Sequence, residues 1–491
     1  MKSFIPLAVL LLPGIYIALP GNCFSQMQMK DGASIQHDMP GMQMPTERQQ
    51  AQQSASRQAP TELPLADLLK DAMTRSPLRL SDFEAQAIRS NPTLQQANAV
   101  IQRSAGQATQ AGLYPNPSVG YEGEQIRGGS YGGGEHGAFV QQTIVLGGKL
   151  GLRRQVYQKQ QHEDELGSKE QRERVLGEVD QRFYAALAAQ ETVKIRREFL
   201  NLATDATQTA HQLANVGQAD APDVLQAEVE AEQAQLEYIT AQRTFIQDFH
   251  RLADISGNPQ LRLSPLEGHL EQRPSIDPNR VIDEILNGSP AVERAQQAIA
   301  VAEAKLKSAK RESVPDITLR AGLQNNYESV GPLGRQVGLQ GFGTGTITLP
   351  IFNRNQGNVQ AAKAELERAQ AEVIRVRLSL RRTAEPMLQN YLADEAQVGR
   401  YKDEILPRAA HAYQLYLEKY RAMAAAYPQV LISQRTLLQL RISYVLALRG
   451  LWTNALALRH FTLSGGLDSI NSTEVPAING NLPNAGEGAA Q

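Results

Sequence analysis

The chain has 491 residues, aromatic side chains at 5% and a formal net charge of −2. That balance excludes a strongly basic nucleic-acid surface, and so few aromatics argue against a compact globular enzyme. The length allows two or three domains or two long repeats, and an Ala- and Gln-rich sequence with spaced apolar residues suits long amphipathic helices.

Met1 and Lys2 precede an apolar run, Phe4 to Leu19, followed by Pro20, Gly21, Asn22, Cys23, Phe24 and Ser25. This predicts a secretory signal peptide over residues 1–25. Cleavage before Gln26 removes the only cysteine and leaves a mature chain without disulfides; lipid modification of Cys23 is the alternative, for which Pro20, Gly21 and Asn22 are a poor match. No later run of eighteen apolar residues predicts a transmembrane helix, so an exported product is either soluble or a β-barrel.

Residues 26–60 are rich in Gln, Met, Ser and Pro and are expected to be disordered. Met27, Met29, His37, Met39, Met42 and Met44 crowd into this tail, which holds five of the nine methionines. Soft thioether and imidazole donors at such spacing suit Cu(I) or Ag(I) better than Mg or Ca; a flexible tail that happens to carry Met is the alternative.

Ser81 to Glu84, SDFE, is expected to be a capping box for a short helix. Asn91 and Pro92 then open a helix with the seam Leu94, Ala97, Ile101, Ser104, Ala108 and Ala111. Ser289 and Pro290 open its counterpart, whose seam of Val292, Ala295, Ile299, Ala302, Leu306 and Ala309 lies 198 residues on. After Pro222 a heptad seam runs Val224, Ala227, Ala231, Ala234, Tyr238, Ala241 and Phe245, and after Pro428 the same seam returns 206 residues on as Val430, Ser433, Leu437, Leu440, Tyr444, Ala447 and Leu451. A constant offset argues for a duplicated unit, with eight residues gained between the two helices of the second copy.

The gain falls in two β-like stretches, Pro117 to about Val145 with a glycine tip at 128–134, and Pro315 to about Leu349 with a tip near 331–334. In the second, Ile317, Leu319, Ala321 and Leu323 alternate with Thr318, Arg320, Gly322 and Gln324, the pattern of a two-faced strand long enough to cross a bilayer at a tilt. Little stops a helix from Gly148 to about Asn215 or from Arg354 to about Ala425, although Pro386 and Pro407 should kink the second rod. The first repeat is therefore placed at 61–256, with a β-hairpin at 115–146 and a helical hairpin at 148–256. Residues 257–280 are read as a linker. The second repeat is placed at 281–464, with hairpins at 315–350 and 354–464, and 465–491 as a mobile tail.

The fold class expected is mainly α with a small β part. Four strands cannot close a barrel and open edges are not tolerated in lipid, so several chains must share one. Ala-rich seams let neighbouring helices approach into a wall, and a barrel continuous with a helical tube is a conduit.

LYPNP at 113–117, LGGK at 146–149, NVGQADAPDVLQAE at 215–228 and LPIFNRNQG at 349–357 resemble the TolC family of outer-membrane efflux channels, the last of them its CzcC-like heavy-metal branch. The resemblance spans about Leu65 to Leu463. It implies a homotrimer in the outer membrane with a twelve-stranded barrel and a helical barrel reaching through the periplasm. The partners it implies are a periplasmic adaptor and an inner-membrane resistance-nodulation-division (RND) pump. On the same basis Val216 and Gly217 match the helix tip that meets the adaptor, and Asp220 and Asp223 would sit at the periplasmic mouth; ordinary capping chemistry explains the same residues. The second tip departs from the family, with Gln429 and Ile432 where acidic residues ring the entrance and no Val-Gly pair. Scattered histidines, no HExxH motif and no phosphate loop argue against an enzyme, and no cofactor is expected. An organic cargo, or a soluble periplasmic coiled-coil adaptor or metal-binding scaffold, are the alternatives.

Overall fold

A computed structural model describes residues 71–128, 131–217, 220–422, 424 and 427–468. The signal peptide and the Met/His tail therefore lie outside the described residues. The first repeat contains α1 (Leu80–Ser90), α2 (Pro92–Ala111), α3 (Lys149–Asn215) and α4 (Ala221–Ile255). The second contains α5 (Val281–Gly288), α6 (Pro290–Arg311), α7 (Gln356–Arg400), α8 (Leu406–Arg421) and α9 (Tyr427–Arg459). At 1.5 Å per residue the 67 residues of α3 form a rod of roughly 100 Å.

Two boundaries differ from expectation for local reasons. The short helix starts one residue before Ser81: Arg79 is the N-cap, and Asp82 rather than Glu84 turns back to accept from its amide at 2.8 Å. Pro386 sits inside an uninterrupted α7, whereas the irregularity comes before Pro407 as a π-turn, Tyr401–Ile405. One extra residue per turn there separates Pro407 from the carbonyls its ring would meet.

Asn91 was expected to cap α2, and it does more. Its side-chain oxygen accepts from the Thr93 amide at 2.9 Å, while its side-chain NH2 donates to the Ile255 carbonyl at 2.9 Å. One fully buried residue thus ties the start of α2 to the end of α4.

The predicted seams face inward, with Ala234, Ala241 and Phe245 buried on α4 and Val430, Tyr444, Ala447 and Leu451 buried on α9. On α9 the heptad reading was too narrow. Leu438, Ile442, Val445 and Leu448 are also buried, because α9 packs against both α3 and α7.

The largest core lies midway along the rods, where Phe83, Phe183 and Phe249 form a ring cluster and Tyr184 stacks on Trp452 at 3.6 Å. Each buried phenylalanine contributes roughly 1.5–3 kcal/mol. The span read as a linker sends two side chains into this core. Leu266–Glu267 (β6) pairs in parallel with Leu78–Arg79 (β1), and Leu266 and Leu270 are buried. Gln190 on α3 makes both amide bonds to Leu266, at 3.0 and 2.8 Å; Trp452 Nε1 donates to the Leu270 carbonyl at 2.8 Å, and the Tyr391 hydroxyl to that of Pro274 at 3.1 Å. Proline pairs marked this stretch as non-helical, and its side-chain partners come from helices more than 70 residues away. The presumed mobile tail also begins too early. The Gly466 amide donates to Glu178 at 2.6 Å, and its carbonyl accepts from Thr93 at 3.0 Å and Gln171 at 3.1 Å.

Beside this core His460 is held between Glu173, 3.2 Å from Nδ1, and Asp180, 3.0 Å from Nε2. Glu84 feels the charge of Asp180, and Arg459 is a further charge on the cluster. Burial and the Asp180 charge push Glu84 up to about 7. Burial alone would lower His460, but hydrogen bonds and charges from Asp180 and Glu173 raise it overall. In both cases the folded state holds protons that the unfolded chain has released, so stability falls as pH rises from about 4.5 through about 7. Glu84→Gln is expected to flatten the lower part of that decline while leaving the His460 part, above about 6.5, in place. Melting temperature followed by circular dichroism across this range checks it.

Candidate transport duct and its mouth

Among the described residues the four long strands are Ser118–Glu124 (β2), Glu135–Ile144 (β5), Ile317–Val330 (β7) and Arg335–Ile347 (β8). They form one antiparallel sheet in the order β2-β5-β7-β8. Arg127–Gly128 (β3) and Tyr131–Gly132 (β4) pair within the first tip. The two hairpins join through β5 and β7, so β2 and β8 are the free edges, as the strand count required.

The register sorts the side chains into two faces. Val119, Tyr121, Val140, Ile144, Leu319, Leu323, Leu339 and Ile347 share one face and are exposed. Glu122, Gln141, Arg320, Gln324 and Gln340 lie on the other with Phe139 and Phe342. An exposed apolar face backed by a polar one is the inverse of a water-soluble sheet and fits a wall between hydrocarbon and an aqueous lumen. Near the outer end, Tyr121 bonds His136 and Tyr327 packs edge-on to the same ring at 5.9 Å; at the inner end Tyr114 and Phe352 are exposed, the latter at 90%. Such aromatic girdles flank a hydrocarbon band.

On the polar face both hairpins use one device. Gly120 faces Phe139 and Gly322 faces Phe342, each ring lying over its glycine so closely that a Cβ would meet it at 2.5 and 2.6 Å. The Arg320 guanidinium sits 3.9 Å from the Phe139 centroid and pairs with Glu122. Sequence patterning identified this strand but not the device, because its partners lie on three different strands.

At the opposite end of the rods, Gly217 takes φ +74°, a conformation that demands glycine, and its amide closes the helix on the Ala214 carbonyl at 3.0 Å. Val216 is exposed, and Asp220 is the N-cap of α4 with Pro222 in the first turn. The Asp223 carboxylate accepts from the Asp220 amide at 3.4 Å. The helix-tip pair Val216 and Gly217 and the mouth pair Asp220 and Asp223 thus lie close together in the chain, and the two carboxylates form the capping box of α4. Just behind the turn, His211 and Glu228 bridge α3 and α4 at 3.1 Å.

The second tip is built differently. Tyr427 occupies the position that corresponds to Ala221 and packs at a tilt against Tyr420, with ring centroids 5.3 Å apart. Burial raises its phenol. Gln429 and Ile432 are exposed beside it. The absence of the Val-Gly pair was legible in the sequence, but the Tyr420–Tyr427 contact was not. Arg435 to Glu230 at 3.2 Å and Arg441 to Glu198 fasten α9 to the first hairpin. Among the described residues no cluster of His, Cys, Asp or Glu has metal-binding geometry. Met27, Met29, His37, Met39, Met42 and Met44 lie outside the described residues.

Comparison with known proteins gives the same picture. A family model described as outer membrane efflux protein matches residues 85–258 and 281–462. The cobalt-zinc-cadmium resistance protein CzcC of Cupriavidus metallidurans is 27% identical over 75% of this chain and 86% of its own. The nickel-cobalt-cadmium resistance protein NccC of Alcaligenes xylosoxydans xylosoxydans is 24% identical over 60% of this chain and 65% of its own. Crystal structures of CusC (TM-score 0.64, 17% identity, 79% and 92% of the two chains) and of VceC from Vibrio cholerae (0.62, 18%, 79% and 96%) share the fold.

Gly120→Val and Gly322→Val are each expected to unseat a phenylalanine ring, at a cost on the order of 1–3 kcal/mol for overpacking. The assembled channel should then dissociate at a lower temperature in gel electrophoresis, while Gly345→Val, on the opposite face, should not lower it.

Proposed function

Since the chain belongs to the outer membrane efflux protein family and is an outer-membrane efflux channel rather than an enzyme, we propose that it is the exit duct of a tripartite system for heavy-metal cations. It works as a homotrimer, fed by a periplasmic adaptor and an inner-membrane RND pump. The observation that carries this reading is the two-faced sheet with two unpaired edges. Edge amides and carbonyls in hydrocarbon each cost several kcal/mol, and pairing β2 of one chain with β8 of the next satisfies them. Three chains give twelve strands, and their rods line up as one tube.

Transport needs no chemistry from such a duct. The pump supplies the energy, and the duct's task is to provide a polar lumen and a mouth that opens when the helix tips part. Val216 and Gly217 form the surface offered to the adaptor. Asp220 and Asp223 place negative charge at the entrance, which draws cations and disfavours anions. Metal cargo is supported by the likeness to resistance proteins whose names specify cobalt, zinc, cadmium and nickel, and by the soft donors Met27, Met29, His37, Met39, Met42 and Met44. A second reading, organic cargo, has the support of a 29% identity over 36% of the chain with the toluene efflux pump outer membrane protein TtgC of Pseudomonas putida.

Growth of a deletion strain on cobalt, zinc, nickel, cadmium, copper and silver, against growth on toluene and antibiotics, separates the two; metal sensitivity alone is expected. Removing residues 27–44 should lower tolerance to copper or silver, and unchanged tolerance to every ion would take the tail out of the mechanism. Gly217→Val should abolish export while leaving a heat-dissociable oligomer in the outer-membrane fraction, since φ +74° strains only the exposed turn. A monomeric mature protein in detergent-free buffer would overturn the shared barrel.

A further inference from the structure

The four places where strands pass into helices lie at one level of the molecule. Lys149 at the start of α3 is buried, pairs with Asp316 at 2.7 Å and donates to the Val314 carbonyl at 2.9 Å, joining the β5–α3 and α6–β7 junctions. Arg153 pairs with Glu312 across the same gap. Asn355, before α7, donates to the Ala309 carbonyl of α6 at 2.8 Å, and the Arg154 side chain packs over Gly112 at the end of α2.

Within residues 112–118, 145–154, 310–318 and 349–356 there are six cationic side chains, Lys149, Arg153, Arg154, Lys310, Arg311 and Arg354, against two carboxylates, Glu312 and Asp316. Both carboxylates are consumed by Arg153 and Lys149, which leaves Arg154, Lys310, Arg311 and Arg354 exposed and without a carboxylate partner among the described residues, the Arg354 side chain donating to the Ile351 carbonyl at 3.3 Å. The chain as a whole carries −2, so this collar departs from its average. Beside it Leu113, Tyr114, Leu349, Ile351 and Phe352 are exposed and continue the apolar face of the sheet.

We propose that this collar binds the headgroups of anionic phospholipids at the inner rim of the barrel, the apolar side chains entering the acyl region and the four cations without a carboxylate partner meeting the phosphates. The proposal rests on the channel reading, because the sheet must stand in a bilayer for its rim to meet headgroups. A cation beside an anionic membrane surface strengthens association roughly fivefold, and aromatic residues settle at the same depth.

The test is native mass spectrometry of the intact detergent-solubilised channel with equimolar phosphatidylglycerol and phosphatidylcholine. The wild type should retain phosphatidylglycerol in preference by roughly fivefold or more. The variant R154Q/K310Q/R311Q/R354Q should lose the preference, and K363Q/R377Q/R382Q/R408Q, which removes four exposed helical cations elsewhere, should keep it. If the fourfold collar variant fails to assemble, the single variants R311Q and R354Q should each lower the preference. No preference in the wild type, or an equal loss in both fourfold variants, overturns the proposal. So does displacement of bound phosphatidylglycerol by millimolar inorganic phosphate, which would assign the cations to a soluble anion. Failure of the protein to assemble or to enter liposomes counts against the channel, whereas an inserted oligomer without lipid preference counts against this inference alone.

Discussion

Backbone amides and carbonyls in hydrocarbon have no water to turn to, and almost every feature of this chain follows from that rule. The sheet has two edges, β2 and β8, and its apolar residues point outward, so one copy in a membrane would leave two rows of polar groups unpaired. A longer run of strands within one chain would solve this, but the duplicated unit supplies only two hairpins. In the proposed assembly, closure by neighbouring copies would set the spacing of the rods beneath. Each strand pair leads directly into a helical rod, and the junctions are clamped by Lys149 and Asp316. The barrel and the tube are in this way one piece of engineering, with the hydrogen-bond needs of the upper part dictating the arrangement of the lower.

Duplication is visible as geometry and also as a limit on symmetry. The two hairpins share a glycine under a phenylalanine, and the two long helical hairpins share a seam. They differ where the copies must do different things. The second pair of strands is longer, the second rod carries a π-turn, and the second tip holds a tyrosine where the first holds Ala221.

Much of the architecture could be read from periodicity. Heptads located α4 and α9, the alternation at 317–324 located a two-faced strand, and glycine at 217 located a turn. These signals are local, and they survive because each helix or strand makes the same choice residue after residue. Contacts that join distant segments left no such trace. Gln190 reaching Leu266, Trp452 reaching Leu270 and Asn91 reaching Ile255 use polar side chains whose partners are set by the whole fold. For that reason residues 257–280 looked like a bare spacer, although Leu266 and Leu270 within them are buried in the core. The heptad reading of α9 erred in the same direction, since a helix with neighbours on two sides buries more than one stripe. At the mouth, the turn was legible because φ > 0 selects glycine, and capping by Asp220 and Asp223 was one of the two readings their spacing allowed.

The Tyr420–Tyr427 pair also makes the chain's two helical hairpins chemically distinguishable. One turns through Gly217 at φ +74° beside two aspartates, while the other carries two phenol rings in the corresponding place. A protein that touched both would meet an acidic foothold and an aromatic one on the same chain, so a single kind of contact could not serve at both.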